Sequence, residues 1–253
     1  MRHALILLAG LAALLLPAAA QEPPIPRQQI TTAELPQWLV EFSNLPRAER
    51  EAYLASFRQA KIAYQQNQWV LCIGHLADCE MIFRGNPNVW NLRACCHMEQ
   101  KYFEEAAEEL ERARQAMPDD PVTAMNIANL QLARRQHEAC IATLRQLREA
   151  LPYDSPAELV YALKFRELLC LVMLNRQPEA RELVKDLSPV ADTPLYYYSQ
   201  AVFALADGNR AEAARCLRVA NTIFAKNAAT QPYQRALLLS DIANFTPSPA
   251  PGK

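Results

Sequence analysis

Trp69–Arg84 (WVLCIGHLADCEMIFR), Phe103–Pro118 (FEEAAEELERARQAMP) and His137–Pro152 (HEACIATLRQLREALP) begin 34 residues apart and can be laid one over another. Trp69, Phe103 and His137 then share a column, as do Cys72, Ala106 and Cys140. Leu76, Leu110 and Leu144 form a third, Cys79, Ala113 and Leu147 a fourth, and Pro118 and Pro152 keep the interval. Coincidence does not hold four columns in one register, and a period near 34 belongs to a stacked pair of antiparallel helices. One such hairpin cannot bury its apolar face alone, so neighbours must stack into a solenoid. The expectation is an all-α superhelix of about five helical hairpins, closed by an extra helix at each end.

Composition agrees. Five glycines in 253 residues, with Ala, Leu, Glu, Arg and Gln filling the periodic stretches, favour helix throughout. Residues 1–20 read as a cleavable signal peptide: Arg2 and His3, the apolar run Ala4–Leu16, then Ala18-Ala19-Ala20, with the cut expected after Ala20. The run is too short to span a bilayer and no stop-transfer segment follows it. The protein is therefore expected to be exported, periplasmic or secreted. Without Arg2 the balance is 25 basic against 27 acidic side chains, with no electrostatic footprint for nucleic acid or an anionic membrane. Residues 21–30 (QEPPIPRQQI) read as a flexible leader, 31–245 as the helical-repeat domain, and 246–253 (TPSPAPGK) as a disordered tail.

Along the domain, Thr31 and Glu34 have capping-box spacing ahead of Leu35, Trp38, Leu39 and Phe42 on one helical face. Asn44-Leu45-Pro46 stops that helix, and a long one runs from Arg47 to about Gln66. Its partner opens at Gln68-Trp69 and ends at Phe83. In the next unit Trp90, Ala94, Phe103, Ala106, Leu110, Ala113 and Pro118 take the fourth, eighth, seventeenth, twentieth, twenty-fourth, twenty-seventh and thirty-second places. That pattern resembles the tetratricopeptide repeat. In that family, small residues at places eight and twenty let the two helices approach, a larger apolar residue fills place twenty-four, and proline ends the second helix. The third unit follows with Ala128, Cys140, Leu144, Leu147 and Pro152. The register slips by six through Tyr153-Asp154-Ser155-Pro156, then resumes with Ala180, Leu183 and Leu187. A fifth unit shows Ala201, Gly208, Ala213, Leu217 and Ala220, and Gln231–Phe245 reads as one closing helix over the last apolar face. The resemblance covers about residues 56–225; His97 stands where an aromatic is usual, and Cys72 and Cys140 replace alanine.

The resemblance implies a concave groove lined by first helices. It would show Lys61, Tyr64, Asn91, Met98, Met125, Asn129, Leu132, Phe165, Leu169, Tyr198 and Val202. Lys61, Asn126 and Arg166 match places of the family's carboxylate clamp, but Phe57 and Val122 do not, so no clamp is expected. Methionine and aromatic rings suit an apolar helix or an extended peptide. The chain's own termini, or the helix over Leu35–Phe42, are the alternative occupants.

No catalytic constellation stands out. Beyond the signal, His75, His97 and His137 are the only histidines, and no phosphate loop, nucleophile elbow or metal-binding helix is present. Glu104, Glu105, Glu108 and Glu109 read as a solvated face pairing with Arg112. His75, Cys79, Cys96 and His97 lack the paired short spacings of a zinc site, so no metal and no cofactor are expected. Seven cysteines in an exported chain invite disulfides. By unit geometry, Cys72 and Cys140 at place twenty lie level with Cys96 and Cys170 at place ten of the following unit. That raises Cys72–Cys96 and Cys140–Cys170 as equivalent bridges; the alternative is seven small buried hydrophobes filling alanine sites. Three functions follow: a non-enzymatic scaffold holding a protein or peptide in the groove, a glycan- or peptidoglycan-associated module using Trp38, Trp90 or Tyr197, and a thiol-based redox protein. The first fits the residues best.

Overall fold

A computed structural model describes residues 35–190, 193–224 and 228–244. The signal peptide, leader, Thr31–Glu34 capping box and tail lie outside them. The compact unit runs from Pro36 onward. Its helices are α1 (Gln37–Ser43), α2 (Arg47–Gln65), α3 (Trp69–Ile82), α4 (Pro87–Glu99), α5 (Phe103–Ala116) and α6 (Pro121–Ala133). They continue as α7 (His137–Ala150), α8 (Ala157–Met173), α9 (Gln177–Leu183), α10 (Leu195–Ala206), α11 (Arg210–Ile223) and α12 (Gln231–Ser240). No strand occurs among the described residues. Pairing α2 with α3, α4 with α5, α6 with α7, α8 with α9 and α10 with α11 gives five hairpins, each packed on the next.

Local chemistry starts and stops these helices. Asn86 and Asp120 cap α4 and α6 by accepting from the backbone N–H of Asn88 (3.0 Å) and Thr123 (2.7 Å), each followed by proline in the first turn. Every hairpin then turns through a residue at the same place with positive φ: Asn67 (59°), Lys101 (64°), Arg135 (58°), Asn175 (59°) and Gly208 (74°). The N–H of the following residue reaches back to a carbonyl of the first helix, as from Gln68 to Ala63 at 2.9 Å and from Tyr102 to His97 at 2.9 Å. This is the Schellman closure, which satisfies carbonyls that the helix end would orphan.

Packing follows the small-residue columns. Ala94 of α4 and Ala106 of α5 share one buried cluster, as do Ala201 and Ala213 of the last hairpin, and Ala113 is buried as well. The first hairpin seats Cys72 against Ala60 and Ala63, and Phe42 of α1 closes its outer end with rings 4.8 Å from Tyr53 and 5.7 Å from Phe83. Ion pairs stitch neighbouring helices. Arg93 of α4 donates to Glu80 of α3 (2.6 Å) and to Glu109 of α5 (2.8 Å), and buried Glu167 of α8 accepts from Arg145 and Arg148 of α7, both at 2.6 Å.

Two expectations need correction. The fourth unit's second helix stops at Leu183, so Leu187 lies beyond α9, although it still packs against the main core; Ser188-Pro189 follows, and proline disfavours helix in the residue before it. The closing helix ends at Ser240, short of Phe245, because Asp241 adopts the left-handed region (φ 53°). It also does not simply cover the last hairpin. It folds back onto α6 and α8.

Candidate functional site: the concave groove and its occupant

First helices α2, α4, α6, α8 and α10 form the concave side. Its floor is apolar: Leu132, Phe165, Leu169, Tyr198 and Val202 are buried, with Met125 half-buried beside them. Asn91, Met98 and Asn129 are buried as well, Tyr64 is half-buried, and Lys61 is exposed with its ammonium 5.4 Å from the Phe57 ring.

Polar groups lie along this floor in two separate bonded sets. Asn91 Nδ2 donates to Thr123 Oγ1 (2.7 Å), and Asn126 Nδ2 donates to Asn91 Oδ1 (3.3 Å). Arg166 Nε donates to Asn129 Oδ1 (2.7 Å) and its Nη1 to the Ala162 carbonyl (2.9 Å). Arg166 is 4% exposed and forms no ion pair among the described residues. Burial pushes its guanidinium down to about 10, and the nearby Arg235 adds to that shift. Of the partial clamp, Asn126 bonds Asn91, Arg166 bonds Asn129, and Lys61 belongs to neither set.

The groove is not bare. Helix α12 lies in it and supplies complementary chemistry. The Tyr233 ring sits 5.1 Å from Phe165 and 5.1 Å from Tyr198, which themselves meet edge-to-face at 5.8 Å. Such pairs are worth about 0.5–1.5 kcal/mol beyond the area they bury. Two residues on, Arg235 pairs with Glu99 of α4 at 2.6 Å and stands 5.1 Å over the Tyr64 ring. Gln234 donates to Asn221 of α11 (3.1 Å), and Arg135 donates to Asp241 (2.9 Å). Ala236, Ser240 and Ile242 are buried, while Leu238 is 82% exposed. Clefts flank the helix on both sides, one of about 310 Å³ between Tyr64, Trp69 and Gln234, the other of about 490 Å³ between Met98, Arg135 and Leu239. α12 therefore fills the groove between the first helices. It is anchored by one aromatic ring and one cation.

The remaining candidates scatter. Trp38, Trp90 and Tyr197 are half-buried; Arg112 covers the Trp90 face at 4.5 Å, and the Tyr197 hydroxyl donates to the Pro189 carbonyl (3.3 Å). Three exposed rings for stacking on a sugar are not assembled there. His75 meets Asp78 at 3.5 Å, and among the described residues no three metal-ligating side chains converge. Glu109 does meet Arg112 (3.4 Å), but Glu109 also holds Arg93, and Glu104 reaches Arg134 of α6 (2.9 Å). Those inter-helix pairs carry no periodic signal, since each depends on which helices become neighbours. All seven cysteines are buried and each is a free thiol, so neither Cys72–Cys96 nor Cys140–Cys170 is bonded in this structure. Among the described residues no helix is long and apolar enough to cross a membrane.

Residues 97–164, from the end of α4 into α8, match the tetratricopeptide repeat family. In fold the chain is similar to TTC0263, a thermophilic tetratricopeptide-repeat protein in Thermus thermophilus, with a TM-score of 0.56 and 16% identity, covering 74% of this chain and 100% of that one. YrrB, a tetratricopeptide-repeat protein with an unusual peptide-binding site, aligns over 81% of this chain and 98% of its own at 14% identity and a TM-score of 0.45. A point mutant of MamA aligns over 68% and 96% at 16% identity and a TM-score of 0.45. The likeness to TTC0263 speaks for the fold alone. No curated protein matches the chain in sequence.

Proposed function

We propose that this tetratricopeptide-like solenoid is an exported, non-enzymatic scaffold whose concave groove takes an amphipathic helix of a protein partner in place of α12. The observation that carries the reading is the seating of α12 itself: Tyr233 against Phe165 and Tyr198, and Arg235 between Glu99 and Tyr64. A groove that holds one helix by rings and an ion pair has the chemistry of helix-in-groove recognition. The partner segment accordingly carries an aromatic residue and, two positions on, a cation. The pattern of residues 1–20 supports export.

Competition sets the terms. A segment tethered in the same chain acts at an effective concentration of about a millimolar. A free helix of equal affinity then competes poorly until α12 lets go. The test uses the full chain carrying Tyr233→Ala and Arg235→Glu, which loosens α12, and a fluorescent peptide of residues 228–244 as probe. Peptide anisotropy should rise on the double variant at concentrations at least tenfold below those needed with the parent chain. No binding to either protein would exclude the groove as a helix site. N-terminal sequencing of the protein recovered from its cell tests export independently: a chain still beginning at Met1 refutes the cut after Ala20.

A further inference from the structure

Four junctions between successive hairpins bring the same two places together, one near the start of a second helix and one near the end of the next first helix. At α5–α6 they hold Ala106 and Leu130, which share one apolar cluster. At α9–α10 they hold Ala180 and Phe203, again in one cluster. At α3–α4 the pair is Cys72 and Cys96, and at α7–α8 it is Cys140 and Cys170. All eight residues are buried. Where the first member is alanine, its partner is large and fills the space; where the first is cysteine, its partner is cysteine. A cysteine acting only as a substitute for alanine would still call for a large apolar partner across the junction. Neither cysteine has one. Each pair is free in this structure, with Cys140 Sγ donating to the Ala128 carbonyl (3.2 Å), yet its members sense one another: the neighbouring Cys96 thiol holds Cys72 below its ordinary value, and Cys140, together with burial, pushes Cys170 up.

We propose that Cys72–Cys96 and Cys140–Cys170 are two equivalent disulfides, each fastening the second helix of one hairpin to the first helix of the next. The proposal rests on the export reading only for its oxidant, an external disulfide such as oxidised glutathione. One cysteine thiolate attacks a glutathione sulfur and releases a glutathione thiolate; the second cysteine attacks the resulting mixed disulfide at the protein sulfur and releases the other. Two protons leave, two electrons pass to glutathione, and one S–S bond remains in the chain. Because Cys72, Cys96, Cys140 and Cys170 have no exposure in the folded chain, exchange takes place while the hairpins are still closing. Cys79, Cys95 and Cys216 remain thiols.

The test refolds the full chain with oxidised and reduced glutathione, then denatures and alkylates it with and without prior reduction. With seven cysteines in all, three adducts are expected before reduction and seven after, with linked peptides joining 72 to 96 and 140 to 170. The bridged chain should melt roughly 10–20 °C above the reduced one. A Cys72→Ala chain, which carries the residue that Ala106 and Ala180 already supply at this place, should keep the second bridge and show four adducts. Seven adducts before reduction, or linkage between any other cysteines, overturns the proposal. A leader found uncut in the cell would sink the export reading and leave the glutathione result standing.

Discussion

His137 opens α7 in the column where α3 and α5 place Trp69 and Phe103. It is buried, and its Nδ1 meets no hydrogen-bond partner among the described residues. Burial first, and then Arg135, hold its imidazole below the ordinary value, against a smaller opposing pull from Glu138. A histidine whose folded pKa is depressed disfavours protonation in the folded state. Its contribution is intact above the unfolded value of about 6.5 and is lost as pH falls through that value toward the folded one. His137→Phe, which restores the column's aromatic, should shrink the drop in melting temperature between pH 7.5 and pH 5; an unchanged drop would remove His137 as its source. Lys101 poses a different residue-scale problem. Its φ of 64° is a conformation that costs a residue with a Cβ about 1–2 kcal/mol. Lys101→Gly gives up some backbone entropy and should still stabilise by roughly 0.5–1 kcal/mol, read as a higher urea midpoint.

At the scale of elements, the stack is held by close approach and by a few ion pairs between helices. Ala106 sits where α5 meets α4 with no exposed surface. Ala106→Leu should cost about 1–3 kcal/mol, since the helices must part to admit three more carbons. Glu167 is the acidic counterpart: a buried carboxylate on α8 held by two guanidiniums from α7. Glu167→Gln should destabilise by about 1–3 kcal/mol. Arg145→Met should cost less, because Arg145 is 43% exposed and a surface partner contributes little. Equal losses for the two variants in urea denaturation would mean that burial of Glu167 does not set the strength of this link.

For the whole molecule, the decisive contact is between segments far apart in sequence. α12 returns to α6 and α8 and reaches Glu99 of α4 through Arg235. Tyr233→Ala should strip protection from the amides of residues 231–240 in hydrogen exchange and leave the five hairpins protected. If the hairpins lose protection with it, α12 is part of the core rather than an occupant of the groove.

The 34-residue interval was enough to determine the hairpins, their antiparallel order and the alanine columns, because each reflects contacts within a unit or with its immediate neighbour, which the period records. The same regularity set Cys72 level with Cys96 and Cys140 level with Cys170. It did not show that Lys101 and Arg135 turn the chain as Gly208 does, since their side chains carry no mark of left-handed backbone. Nor did it show Arg93 held between Glu80 and Glu109, or the early end of α9. The repeat offered candidate groove residues and allowed the chain's own termini as one occupant, but it could not place a returning helix over them. That was decided by tertiary structure alone, because a helix returning across the array obeys no period and is placed only by the rings, charges and empty volume it meets there.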